Sequence, residues 1–203
     1  MTDHHADRPH EVRAFFAPRA ADWDTKFPDD GPAYAAGVAE LGLQEGDRVL
    51  DAGCGTGRAL PALRAAVGPR GRVLGADLTP EMLRAAVRAG RDRDAALLLA
   101  DVTRLPLADA ALDAVFAAGL LSHLPDSAGG LAELARAVRP GGRLALFHPL
   151  GRAALAARKG RPITPDDLRA EPNLRPVLDY CGWDLIRYED EDSRYLALAV
   201  RRA

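Results

Sequence analysis

A chain of 203 residues, 48% hydrophobic and 28% charged, can bury one sizeable core and has the composition of an ordinary globular protein. Its 27 basic and 29 acidic residues give a formal net charge of -2, which argues against nucleic acid as an obligatory partner, since phosphate binding needs a concentrated basic face. No run approaches the roughly 20 apolar residues of a membrane helix, and two cysteines, one inside a glycine loop, exclude a disulfide scaffold and suit a reducing cytoplasm.

Residues 1–9 read as a frayed tail. Its opening, Met1-Thr2-Asp3-His4-His5, lacks the apolar segment of a secretory signal. His4, His5 and His10 stand without further ligands, so no metal site is expected. A helix over 11–20 carries Val12, Phe15 and Phe16, and Trp23, Phe27 and Tyr34 continue an aromatic-rich approach. A helix over 33–41 ends at Gly42, and Gln44-Glu45-Gly46-Asp47 turns the chain into a first strand at 48–50.

Asp51-Ala52-Gly53-Cys54-Gly55-Thr56-Gly57 follows, before a helix over 58–67. An acid and alternating glycines between a strand and a helix make a loop for a nucleotide-type cofactor. The glycines allow tight turning and close ligand approach, and the helix start offers unpaired N–H groups. After the break Gly68-Pro69-Arg70-Gly71, a second strand over 72–76 ends at Asp77, and Thr79 caps a helix with Pro80 at its first position. A third strand over 95–100 is closed by Asp101, and a fourth runs over 112–117. A helix over 131–138 stops at Arg139-Pro140-Gly141-Gly142, and a fifth strand over 143–147 ends at His148. Residues 184–188, a turn at 189–192, and 195–200 read as a β-hairpin. Apolar strands alternating with helices predict a doubly wound α/β fold, a parallel sheet covered on both faces with the antiparallel hairpin added.

In such a sheet, ligands sit beyond the carboxyl ends of the strands. Asp51, Asp77, Asp101 and His148 each close an apolar strand there. Asp77 lies about 20 residues beyond the glycine loop, where an acid accepts hydrogen bonds from ribose hydroxyls. Its other reading is the opening of the turn before Thr79. Asp101 can accept from an adenine amine while Val102 covers the ring; its other reading is a turn-forming acid. Dinucleotide loops read G-x-G-x-x-G, whereas Gly53, Gly55 and Gly57 alternate and follow Asp51. That acid suits a cofactor with a cationic group better than a pyrophosphate.

Together these residues resemble the class I S-adenosylmethionine-dependent methyltransferases of the "methyltransferase type 11" kind. Val49 to Gly57 is similar to that family's first motif, and Val73 to Leu83 to its ribose-binding segment. Asp101-Val102 with Leu105-Pro106, then Leu112 to Phe116 with Ser122-His123-Leu124-Pro125-Asp126, and finally 134–146 resemble the segments that follow. The resemblance implies a three-layer, Rossmann-like fold with a seven-stranded sheet of order 3-2-1-4-5-7-6 and its last strand antiparallel. It implies a single domain over 1–203, with 1–42 as a helical lid and 43–203 as the cofactor core. S-adenosylmethionine is the implied cofactor, held by Asp51, Gly53, Gly55, Gly57, Asp77, Leu78, Asp101 and Val102, with Ala117 or Ala118 beside its methionine part. Trp23 lies in the lid segment; its other reading is core packing.

Methyl transfer from a sulfonium needs alignment in a dry pocket and, where the acceptor carries a proton, a base. His148 and His123 are the candidate catalytic bases, each with a structural alternative. Cys54 reads as a small residue tolerated by the loop. Arg152, Arg158, Lys159 and Arg161 fall in one segment after the fifth strand, which can greet an acidic substrate or form a solvated face. No large insertion provides a substrate domain, which favours a small-molecule acceptor. A non-catalytic cofactor-binding protein and an NAD-dependent oxidoreductase are the alternatives.

Overall fold

Strands form where apolar runs end in an acid or a histidine, and helices fill the spans between. The structure, a computed structural model, describes residues 8–26 and 30–203; His4, His5 and Phe27 lie outside them, as does the expected tail up to residue 7. The N-terminal segment holds α1 (Arg8–Phe16), α2 (Trp23–Lys26) and α3 (Gly31–Ala39). Then β1 (Arg48–Ala52), α4 (Leu60–Val67), β2 (Arg72–Asp77), α5 (Pro80–Arg88), β3 (Ala96–Leu99) and β4 (Leu112–Ala118) alternate. The second half runs α6 (Ser127–Ala137), β5 (Val138–His148), α7 (Arg152–Arg158), α8 (Glu171–Tyr180), β6 (Trp183–Glu191) and β7 (Arg194–Arg201).

The sheet has seven strands in the order β3-β2-β1-β4-β5-β7-β6. The pairs among β1 to β5 are parallel, and β7 is antiparallel to both β5 and β6. The expected order and hairpin are both present.

Adjacent strand residues feed opposite faces, as the two-residue period demands. Val49, Phe116 and Ala145 pack with Val38 of α3 and with Leu60, Leu63 and Val67 of α4. Leu50, Val115 and Leu144 face the other way, toward Leu131 and Leu134 of α6 and Leu174 and Leu178 of α8. Each fully buried leucine contributes about 1.5–3 kcal/mol, so both helical layers are held by the sheet they cover.

Several local expectations need correction. The helix expected over 11–20 stops at Phe16, and a 3-10 turn, Ala17–Arg19, follows with Pro18 in it. α1 also takes in Pro9, placed in the tail. Thr79 sits at the start of α5 but makes no side-chain cap; Asp77 Oδ1 accepts the Thr79 N–H at 2.7 Å instead. α6 starts four residues before the expected 131, capped by Asp126, which accepts the Gly129 N–H at 2.9 Å. Arg139-Pro140-Gly141-Gly142 does not stand apart from the fifth strand. It is an excursion within β5, where Leu112 pairs with Val138 and Ala114 with Arg143. The hairpin turn is tighter than 189–192, because Glu189 and Asp190 stay on β6, paired with Arg194 and Arg152.

Candidate functional site

The glycine loop leaves the carboxyl end of β1 and is pinned by backbone bonds. Cys54 N–H donates to Ala76 O at 2.9 Å, and Gly57 N–H to Cys54 O at 2.8 Å. Gly55 has φ +55, a left-handed conformation glycine takes without penalty, and a Cβ there would enter open space. Gly57 differs. Its φ is +82, but a Cβ would meet Leu60 Cδ1 at 2.7 Å, so this glycine lets the loop close onto α4.

A cavity of about 450 Å³ opens beside the loop, at the carboxyl ends of the parallel strands. Asp51, Gly53 and Gly55 line it from the β1 side, and Asp77 and Leu78 from the end of β2. Asp101 and Val102 enter after β3, Ala118 ends β4, and His123 and His148 follow from β4 and β5. Trp23 closes it from α2. The cavity thus brings together every expected site residue except Gly57, which lies outside the lining.

The acids differ in their surroundings. Asp77 Oδ2 accepts the Gly55 N–H at 2.8 Å and Oδ1 the Thr79 N–H at 2.7 Å. The Thr79 side chain also bonds this carboxylate, which keeps acceptor capacity beyond these bonds. Burial pushes this carboxyl up, and those backbone donors oppose the rise. Asp51 is 2% exposed, and burial together with Asp77 pushes it up to about 8. Asp101 Oδ1 accepts from both the N–H and the hydroxyl of Thr103, so it does form a turn. The same residue borders the cavity.

Contacts far apart in sequence tie the N-terminal segment over this site. Asp24 accepts the Thr56 hydroxyl at 2.6 Å and pairs with Arg91 at 2.7 Å, and Arg91 also donates to Thr56 O. Arg13 Nε donates to Leu78 O at 2.9 Å. Phe16 contacts both Trp23 and His123, with ring centroids 5.6 and 4.9 Å away. Sequence reasoning placed Asp24 in the N-terminal lid segment but missed its partners, and missed Arg91 and Arg13 altogether, because these contacts span up to 67 residues.

The histidines are held neutral. Burial, with Lys159 and Arg169 nearby, pushes His123 down. His148 is pushed down to about 4 by burial, against a backbone bond to Leu150 that raises it. Its Nδ1 lies 2.9 Å from Leu150 O and 3.0 Å from Leu150 N. One tautomer donates Nδ1–H to the carbonyl and leaves a lone pair on Nε2; the other accepts the Leu150 N–H and carries its proton on Nε2. Of the four cations expected after β5, Arg158 and Lys159 border the cavity. Arg152 is bound to Asp190 and Asp167, and Arg161 is exposed. Arg169 and Tyr195, which no local motif marks, complete that end.

A family model described as a methyltransferase domain matches residues 50–146. Over 94% of this chain and 93% of the relative, the sequence is 37% identical to the demethylmenaquinone methyltransferase of Mycobacterium sp. (strain KMS). The chain belongs to the class I S-adenosylmethionine-dependent methyltransferases. The enzyme is also 41% identical, over 54% of its length, to an uncharacterized 37.1 kDa protein in transposon TN4556 of Streptomyces fradiae, and that match spans about a third (32%) of the transposon protein. Among solved structures, the magnesium protoporphyrin IX methyltransferase of Synechocystis PCC 6803 with bound S-adenosylmethionine shares its fold. The TM-score is 0.72 at 21% identity, covering 98% of this chain and 100% of that one.

The methyltransferase uses S-adenosylmethionine, and the residues present fit that cofactor. Gly55 leaves a space that any Cβ would fill. Asp77 is a buried, acceptor-only group suited to paired hydroxyls once ionised. Asp51 is a buried carboxyl without an ion-pair partner among the described residues, which a ligand cation satisfies. Family membership decides against the oxidoreductase alternative.

Proposed function

We propose that the enzyme methylates a small organic acceptor that enters the cavity from the α7 side, and that 1–42 acts as a lid on a single domain over 1–203. The observation carrying this reading is the shared cavity: the glycine loop and acids border one end, and both histidines and the α7 cations border the other. In this reading Asp77 holds the ribose hydroxyls and Asp51 the cationic methionine part. Asp101 and Val102 meet adenine, and Gly53, Gly55, Gly57, Leu78 and Ala118 shape the cradle. Trp23 covers it. When bound, the cofactor supplies an electrophilic methyl group whose transfer leaves a neutral thioether.

The chain's own task is alignment and dryness, and orientation of this kind supplies about 7–11 kcal/mol in favourable cases. In the tautomer that donates to Leu150 O, His148 has a lone pair on Nε2 and takes the acceptor's proton. His123 stays neutral between α1 and the cations and shapes the wall, a weaker second candidate for the base. A cytoplasmic setting is supported by the free, buried cysteines Cys54 and Cys181. No helix among the described residues is long and apolar enough to cross a membrane. The relative named for demethylmenaquinone supports a ring-bearing small acceptor.

The test is release of S-adenosylhomocysteine from S-adenosylmethionine with phenol, amine, thiol and carboxylate acceptors. Release with at least one class, lost in Asp77→Ala, is expected. No release with any class leaves only the cofactor-binding, non-catalytic reading.

A further inference from the structure

The two ends of the cavity are chemically opposite. Asp51, Asp77 and Asp101 border one; Lys159, Arg169 and Tyr195 border the other. Tyr195 is 3% exposed, and its hydroxyl is buried with no hydrogen-bond partner among the described residues. A buried hydroxyl in that condition is a donor awaiting an acceptor. Burial and Tyr188 hold this phenol above its ordinary range, so it keeps its proton.

Strand register sets Tyr195 directly opposite His148, which puts both side chains on one face of the sheet. Arg169 turns its Nε and Nη2 to Asp167, at 3.0 Å each, and its Nη1 has no partner among the described residues. Asp167 also pairs with Arg152, whose second partner is Asp190, so these two guanidiniums and two carboxylates balance and the open Nη1 edge is what Arg169 offers the cavity. Lys159 has no ion pair among the described residues and acts on the same two histidines as Arg169. The unpaired ammonium of Lys159, an open guanidinium edge and an unpartnered hydroxyl therefore converge beside the candidate base.

We infer that this end of the cavity recognises a carboxylate on the methyl acceptor, with Tyr195 donating its hydroxyl, Arg169 its open edge, and Lys159 closing the rim. The inference rests on the methyl-transfer reading above and narrows its acceptor to small organic acids.

Calorimetry on the whole protein loaded with S-adenosylhomocysteine tests this, with benzoate as the anion and benzamide as its neutral counterpart. Benzoate is expected to bind about tenfold tighter. Lys159→Gln, at an exposed position, lowers that preference about threefold, and Lys159→Arg restores it. Tyr195→Phe lowers it by a similar factor, with the affinity for S-adenosylhomocysteine unchanged. Equal affinity for the two probes, no binding of either, or a preference that survives both Lys159→Gln and Tyr195→Phe overturns the inference and leaves methyl transfer standing. Failure of S-adenosylhomocysteine itself to bind overturns the reading beneath it.

Discussion

The carboxylate of Asp24 accepts a hydrogen bond from Thr56 Oγ1 at 2.6 Å, joining the N-terminal segment to the glycine loop across 32 residues. The same carboxylate holds Arg91 at 2.7 Å. One side chain thus fastens the N-terminal segment to the loop and to the turn after α5. Asp24→Ala breaks both bonds. Charged hydrogen bonds contribute about 1.5–3 kcal/mol when buried, and Asp24 is partly exposed, so about 1 kcal/mol is expected here. S-adenosylmethionine affinity should fall about fivefold by calorimetry, with the melting temperature little changed.

Asp51 makes cofactor binding a proton-linked event. Its folded carboxyl is pushed up to about 8 from an ordinary 3.8, so it carries a proton at neutral pH in the free protein. A folded pKa above the unfolded one gives stability that is full below about 4 and lost as pH rises through about 8. The melting temperature of the ligand-free protein should therefore decline between pH 5 and 8 more steeply than that of Asp51→Asn. A bound cation favours the ionised carboxyl. S-adenosylmethionine should then displace a proton, seen as a binding enthalpy that depends on the buffer's ionisation enthalpy, and Asp51→Asn should abolish that dependence.

His148 titrates in the opposite sense. Its folded pKa lies near 4, below the ordinary 6.5, so its contribution to stability is full above 6.5 and lost as pH falls through about 4. It is neutral throughout the physiological range. The profile of kcat against pH should show no inflection near 6.5 from this residue. His148→Gln should lower kcat by about 10²–10⁴ with an acceptor that must lose a proton, at an unchanged KM for S-adenosylmethionine. An equal loss with a proton-free nucleophile would assign His148 to structure.

Away from the cavity, Trp183 is fully buried at the start of β6 and donates Nε1–H to Leu131 O at 3.0 Å. It joins the terminal hairpin to α6. Trp183→Ala should cost about 3–5 kcal/mol in denaturant unfolding, while cofactor affinity in the folded fraction stays unchanged.

The sheet and the acids that line the cavity were legible because their signals are local. Each of Asp51, Asp77 and Asp101 ends an apolar run, and a strand's end is where such a residue reaches the ligand side of the sheet. α8 was not legible. Pro172 and Pro176 look like breakers, yet Pro172 occupies the first turn, where its missing N–H is not needed, and Leu174 and Leu178 bury one face four residues apart. The side of the cavity lined by α7 and β7 was only half legible. Lys159 stood out as one of a run of cations, but Tyr195 reaches the site only through antiparallel pairing with β5, and Arg169 through its bonds to Asp167. No spacing rule within one segment encodes either.

The placement of the two tryptophans gives the molecule a built-in optical reporter. Trp23 sits over the cavity against Phe16, while Trp183 lies sealed behind α6 and sees no ligand. A change in indole emission on adding a ligand therefore comes from Trp23 alone, above a constant background. Ligand arrival beneath the N-terminal segment can be followed in stopped flow without attaching any dye.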